Sequence, residues 1–167
     1  MFLVGLTGHS SAKVDPKNYD FSLDKFEIFK PDSTLKIIQA KYPKGVVAFK
    51  KGRLITYKYY VEHLRYKFPV FVQFKENKVL DFYAKLPSYF LHNIFHQSLI
   101  NRIGKQDSFK RVEEQAIYVW KNKDGKRHIY FGSCTITCFP VYYSVQNIKE
   151  KNYETLIQKF SNFEAKD

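Results

Sequence analysis

The chain is short of several things, and each shortage closes off a class of protein. Cysteine occurs twice, as Cys134 and Cys138. Four residues apart in a predicted strand, the two would stand roughly 13 Å from each other at strand rise. That is too far for a disulfide. They read as reduced, buried thiols, and the chain is expected to be intracellular, in cytoplasm or nucleus. Long apolar runs are missing as well. The opening MFLVGLTG is a few apolar residues with no basic flank, so Phe2 to Thr7 is expected to enter the sheet as a strand rather than serve as a signal peptide or cross a membrane. No Gly-rich phosphate loop, nucleophile elbow, zinc-finger cysteine spacing or paired acidic cluster of the metal-nuclease kind occurs in the sequence, and no cofactor is expected. Internal repeats and low-complexity tracts are absent, so residues 1–167 are read as a single domain.

Acidic charge is the last shortage. Sixteen Asp and Glu stand against 28 Lys and Arg, which leaves a net charge of +12. That excess favours an anionic partner, nucleic acid first. The cations are chiefly lysines, which read phosphate as point charges without the bidentate fork of arginine. An AT-rich genome would produce the same lysine excess with no function attached.

What the chain has in abundance is aromatics, 18% of its residues, enough to build a large apolar core. Its most explicit stretch runs from Ala116 to Phe139. Two β-rich runs flank Asp124-Gly125, a pair that tolerates the positive φ values of a type I′ hairpin turn. With that turn, Lys123 is expected to face Lys126, Trp120 to face Ile129, and Tyr118 to face Phe131. Tyr118, Trp120, Ile129 and Phe131 would then share one face, and Ile117, Val119, Lys121, His128 and Tyr130 the other.

Elsewhere, residues 8–20 read as a polar loop, and Phe21 to Phe29 mixes two periods and resists assignment. After Pro31, Asp32 or Ser33 is positioned to cap a helix through Lys41, although the same residues also read as a strand. Two further hairpins are predicted, one turning at Lys51-Gly52 and one at Glu76-Asn77, with Pro69 confined to a strand start or an edge. Tyr89 to Ile103 is predicted as a helix with Ser88 as N-cap, Gly104 as its stop, and Leu91, Phe95, Leu99 and Ile103 as its apolar stripe. Val141 to Val145 reads as a bent or edge strand after Pro140. Asn152 is expected to cap a C-terminal amphipathic helix carrying Leu156, Ile157, Phe160 and Phe163. The sum is an α+β fold: a curled antiparallel sheet of about six to seven strands packed against helix 89–103.

Three groups of residues are candidates for chemistry. His92 and His96 share one side of the predicted helix at metal-ligand spacing, but without a third ligand they make only a weak metal candidate. His9-Ser10-Ser11 and His96-Gln97-Ser98 resemble, over these few residues alone, the two His-x-Ser/Thr motifs of the 2H phosphoesterases, in which one imidazole acts as base and the other as acid. Here the second copy falls on a predicted helix rather than on a strand. Lys121, Lys126, Arg127 and His128 cluster at one end of the central hairpin beside Tyr118 and Tyr130. Such a set serves a metal-independent ribonuclease, or a binder that needs no proton-transfer pair.

Tyr57, Tyr59 and Tyr60 alternate with Lys58 just before Arg65 and Lys67, an arrangement of rings and cations on which a single strand stacks. The expected function is therefore a basic, aromatic-rich module that binds single-stranded nucleic acid or RNA. Its expected contacts are Tyr57, Lys58, Tyr59, Arg65, Lys67, Lys121, Lys126, Arg127, His128 and Tyr130. The alternatives are a metal-independent phosphodiesterase using His128, His96 or His9, and a non-catalytic subunit of a protein assembly.

Overall fold

The computed structural model describes residues 23–63, 66–87, 92–112, 115–132 and 141–161. Eight strands form one antiparallel sheet: β1 (Val46–Lys51), β2 (Leu54–His63), β3 (Tyr66–Lys75), β4 (Lys78–Leu86), β5 (Ser108–Val112), β6 (Gln115–Lys123), β7 (Lys126–Gly132) and β8 (Val141–Asn147). Their spatial order is β1-β2-β3-β4-β8-β7-β6-β5. Two four-stranded meanders are thus joined along β4 and β8, and the sheet does not close on itself. It is larger than the six to seven strands expected, because Ser108–Val112 forms an edge strand that its polar, charged sequence did not announce. The predicted strand Phe2 to Thr7, the 8–20 loop, both cysteines, Ser88, Leu91 and Phe163 lie outside the described residues.

Turn chemistry places two of the hairpins where the sequence put them, and the third turns one residue later than expected, at Gly52-Arg53, because Lys51 pairs with Leu54. Asp124 and Gly125 both have positive φ, 53° and 75°, and Glu76 and Asn77 have 51° and 64°, the backbone that a two-residue hairpin demands. Lys123 faces Lys126 as expected, but the register then shifts between Trp120 and Lys123. A bulge adds one residue to one strand and changes every pairing beyond it. Trp120 therefore faces His128, Tyr118 faces Tyr130, Val119 faces Ile129 and Ile117 faces Phe131. This corrects the expected pairings of Trp120 with Ile129 and of Tyr118 with Phe131. The two faces exchange members: Tyr118, Trp120, His128 and Tyr130 lie together, and Ile117, Val119, Ile129 and Phe131 lie together.

Strand β8 is a correction too. Far from an edge, it runs down the middle of the sheet between β4 and β7. Pro69 sits inside β3, opposite Tyr60 of β2, but pairing with β4 begins only at Val70. On that side Pro69 is locally an edge residue, where its missing N–H leaves no gap in the ladder.

Helices cover both faces. On what we call the inner face lie α1 (Asp24–Glu27), α2 (Leu35–Lys41) and α3 (His92–Ile103). Thr34, not Asp32 or Ser33, caps α2, accepting from the Ile37 N–H at 3.4 Å. Phe26, Phe29, Ile38, Phe95 and Leu99 pack there against Val70, Phe82, Trp120, Tyr130, Tyr143 and Val145. Phe26 stacks on Phe82 with centroids 5.6 Å apart, and Phe95 meets Tyr130 at 5.1 Å. The Trp120 indole N–H donates to the Gly104 carbonyl at 2.7 Å, which fixes the end of α3 to the sheet. Gly104 has φ 83°, the left-handed stop expected of it. Arg102 pairs with Asp24 and Glu27, joining α3 to α1.

The opposite face carries α4 (Leu156–Ser161). Leu156 and Ile157 are buried there with Tyr83, Ile117, Ile129 and Phe131, and Phe160 packs against Phe71 and Tyr83 at 4.7 and 5.1 Å. The cap is not Asn152. Thr155 and Gln158 form a capping box: the Thr155 N–H donates to Gln158 Oε1 at 2.9 Å, and the Gln158 N–H to Thr155 Oγ1 at 3.4 Å.

A candidate anion-binding cleft

On the α4 face the register lines up a row of polar side chains across five adjacent strands. Thr56 of β2 pairs with Gln73 of β3, Gln73 with Asp81 of β4, Asp81 with Gln146 of β8, and Gln146 with Arg127 of β7. Thr56, Gln73, Asp81 and Gln146 are all buried, and Arg127 is partly so. Polar groups this deep in a sheet cost free energy unless they are bonded. Residues 153–156 cross over the middle of the row and meet that demand for Asp81 and Gln73. The Asp81 carboxylate accepts from the Leu156 N–H at 2.6 Å and from Gln73 Nε2 at 3.3 Å, and Gln73 Nε2 also donates to the Glu154 carbonyl at 3.1 Å. Burial pushes the Asp81 carboxyl up to about 8, against the pull of those two donors.

The two ends of the row open into clefts on either side of that crossing segment. At the β2 end lies a cleft of about 260 Å³, lined by Phe49, Lys51, Thr56, Gln73, Glu154 and Lys159 among others. At the β7 end lies one of about 400 Å³, whose walls are Lys121, Arg127, Gln146, Asn147, Ile148, Glu150, Lys151, Tyr153, Thr155 and Gln158. Three cations face this larger cleft. Among the described residues that line it the one carboxylate, Glu150, pairs with Lys75 at 2.8 Å. Tyr153 is held in the wall by burial and by its hydroxyl, which donates to the Leu80 carbonyl at 3.5 Å. Its pKa is raised, by desolvation first and then by the nearby Asp81 and Glu150 charges, with Arg127 pulling the other way.

The expected contact residues do not gather in one place. Lys121 and Arg127 meet in the larger cleft. Lys58 is partly buried on the same face of the sheet, its ammonium 4.9 Å from the Tyr60 ring centroid and 5.9 Å from that of Phe71. Lys67 is exposed and paired with Glu62 at 2.8 Å. Lys126 stands at the tip of the β6–β7 hairpin, and its register partner Asn147 belongs to the inner face. Tyr57 and Tyr59 also point to the inner face, Tyr59 fully buried and Tyr57 partly, the two rings stacked at 6.0 Å. Tyr130 is 0% exposed, beneath α3, where no base can stack on it in this conformation. Arg65 and His9 lie outside the described residues.

The histidines follow the same division. His128 is buried, its Nδ1 2.8 Å from the Tyr143 hydroxyl. Desolvation, helped by the Lys30, Lys126 and Lys123 charges, lowers its pKa to about 3, so the ring is neutral at physiological pH. His96 lies against the Tyr118 ring at 4.0 Å, its pKa lowered chiefly by burial. His92 begins α3, and among the described residues no cluster of three His, Cys, Asp or Glu could hold a metal ion. A proton-transfer pair must reach its substrate, and buried His128 offers no such access.

Sequence reasoning passed over Asp81, Gln73, Gln146, Lys151, Tyr153 and Gln158. The signal was there: a lone acid and two lone carboxamides sit within otherwise apolar strands, VFVQF, VLDFYA and VYYSVQ. Only the register of β3, β4 and β8 puts them side by side. No helix among the described residues is long and apolar enough to cross a membrane. Comparison of the chain with protein-family models, with curated proteins and with solved structures returns no match.

Proposed function

We propose that this protein binds single-stranded nucleic acid, RNA by preference, and that the larger cleft on the α4 face is where the strand is held. One observation carries the reading. Lys121 of β6 and Arg127 of β7, both expected phosphate contacts, converge with Lys151 on one cleft lined by hydrogen-bonding side chains. A positively charged groove with neighbouring aromatics is what a single strand tracks along, and Lys58 over Tyr60 adds such a pair on the same face, with Tyr60 49% exposed. Polyanion binding releases condensed counterions. If three phosphates are neutralised by Lys121, Arg127 and Lys151, log affinity for a twelve-nucleotide RNA should fall against log salt with a slope of about −2. A flat salt response, or no binding at low salt, would sink the proposal. No catalytic step is part of it.

A second reading, that the chain is a subunit of a protein assembly, is favoured by the β5 edge. All five residues of β5 are exposed, Phe109 at 53%, and an open edge is a template for a partner strand. Amide exchange at residues 108–112 of the isolated chain tests it. Fast exchange is expected of an edge awaiting a strand, whereas strong protection would mean that the edge is already closed.

A further inference from the structure

Phosphate alone does not account for the larger cleft. Its deepest polar wall is Gln146, 5% exposed in the central strand β8. Among the described residues the Gln146 carboxamide makes no side-chain hydrogen bond, although Asp81 and Arg127 flank it in the row. A carboxamide can donate twice and accept twice, and that of Gln146, which lines the cleft, is open to a partner there. Gln158, which also lines the cleft, has its Oε1 engaged by the Thr155 N–H and hydroxyl, both at 2.9 Å, so its amide nitrogen remains as a donor. Tyr153 is a third member of the same wall. None of these groups complements phosphate in the way that the three cations do. A donor-acceptor carboxamide, a second donor and an aromatic wall suit the edge and face of a nucleobase. The volume of about 400 Å³ falls within the range of small-ligand sites.

We infer that this cleft seats one nucleoside monophosphate unit, with its phosphate at Lys121, Arg127 and Lys151 and its base edge read by Gln146. The inference rests on the single-strand reading for its source of nucleotide, but the unit has the same chemistry whether free or within a strand. Carboxamides discriminate among bases because each base presents a different order of donors and acceptors, and one good bidentate pair separates right from wrong base by roughly fivefold to 150-fold.

The test uses the full chain at low salt, titrated with each of the four 5′-nucleoside monophosphates, with the matching nucleosides and with inorganic phosphate. One monophosphate should bind about fivefold or more tighter than inorganic phosphate, since a fivefold ratio is the low end of a single base contact, and should compete with a labelled twelve-nucleotide RNA. Gln146→Met, similar in shape but without the carboxamide, should compress the spread among the four bases. Because Gln146 lies in a central strand, a second readout is taken on the unmodified chain: saturation transfer between the base protons and the Tyr153 ring. Four monophosphates no tighter than inorganic phosphate, or no transfer to Tyr153, would overturn the inference. RNA binding without monophosphate binding overturns this subsite and leaves the single-strand reading standing. Monophosphate binding without RNA binding supports the subsite as one for free nucleotides and overturns the single-strand reading.

Discussion

The two faces of the sheet are built from the same eight strands and solve opposite problems. On the inner face, α1 to α3 close over rings: Phe26, Phe29, Phe82, Phe95, Trp120, Tyr130 and Tyr143. One of its buried histidines, His128, is kept neutral. Among the described residues the other face carries one short helix over a smaller apolar cluster, and beside it a buried polar row that ends in two clefts. A face that only has to be stable fills itself with aromatics. A face that spends burial on Asp81, Gln73 and Gln146 forgoes apolar area and gains places where a polar ligand can be matched. The aromatic residues serve both faces, with Phe71, Tyr83, Tyr142 and Phe160 packed on the α4 side, whereas Lys121, Arg127 and Lys151 meet in a cleft on that side alone.

The sharpest way to break that contrast is Trp120→Ala. It empties a fully buried site and orphans the Gly104 carbonyl, so unfolding free energy should drop by about 3–5 kcal/mol. Tyr130→Ala should fall in the same class, since its ring is fully buried. A Tyr130→Ala variant that melts like the parent but loses RNA would place the binding surface on the inner face instead.

Next in size is the pH dependence set by Asp81. Its folded pKa, about 8, lies above the unfolded value of about 3.9, so the folded state holds the proton more tightly. The stability it contributes is complete below pH about 4 and is lost as pH rises towards 8, on the order of a few kcal/mol over that window. Asp81→Asn should flatten the alkaline limb when Tm is followed against pH. His128 acts with the opposite sign on the opposite face. Its folded pKa of about 3 lies below the unfolded 6.5, so the stability of its neutral form is present above pH 6.5 and is lost as pH falls from there towards 3. His128→Gln should flatten the acid limb and leave the alkaline one. A single variant that flattens both limbs would show that the faces are not independent.

How far the sequence could be read is clearest in the central hairpin. Asp124-Gly125 announced its turn because backbone sterics act locally, and Lys123 duly faces Lys126. The bulge just beyond it left no mark in the residue pattern, and one inserted residue was enough to exchange the faces of Ile129, Phe131, His128 and Tyr130. Helix α3 was legible from its apolar spacing and its Gly104 stop. The T-x-x-Q box at Thr155 was legible in principle and was passed over in favour of Asn152. Strand β5 was not legible: it is polar, short and exposed, and it forms because β6 beside it offers a ladder. Asp81, Gln73 and Gln146 come from strands up to 73 residues apart in sequence, so their meeting is a property of strand order, which no local pattern carries. Of the expected contacts, Lys121 and Arg127 entered one cleft because they flank the same bulge-bearing hairpin.

The smallest expected effect on folding belongs to the most telling variant. Lys121 and Lys151 are exposed, and replacing both with Ala should leave unfolding free energy within about 0.5 kcal/mol per site. The direct measurement is the salt slope of RNA binding for that double variant beside Lys126→Ala, which removes a lysine from the other side of the same hairpin. Two fewer neutralised phosphates should make the slope shallower by about 1.4 in the double variant, with Lys126→Ala close to the parent. Equal slopes in the parent and the double variant, or a larger change in Lys126→Ala, would contradict the assignment of the binding face.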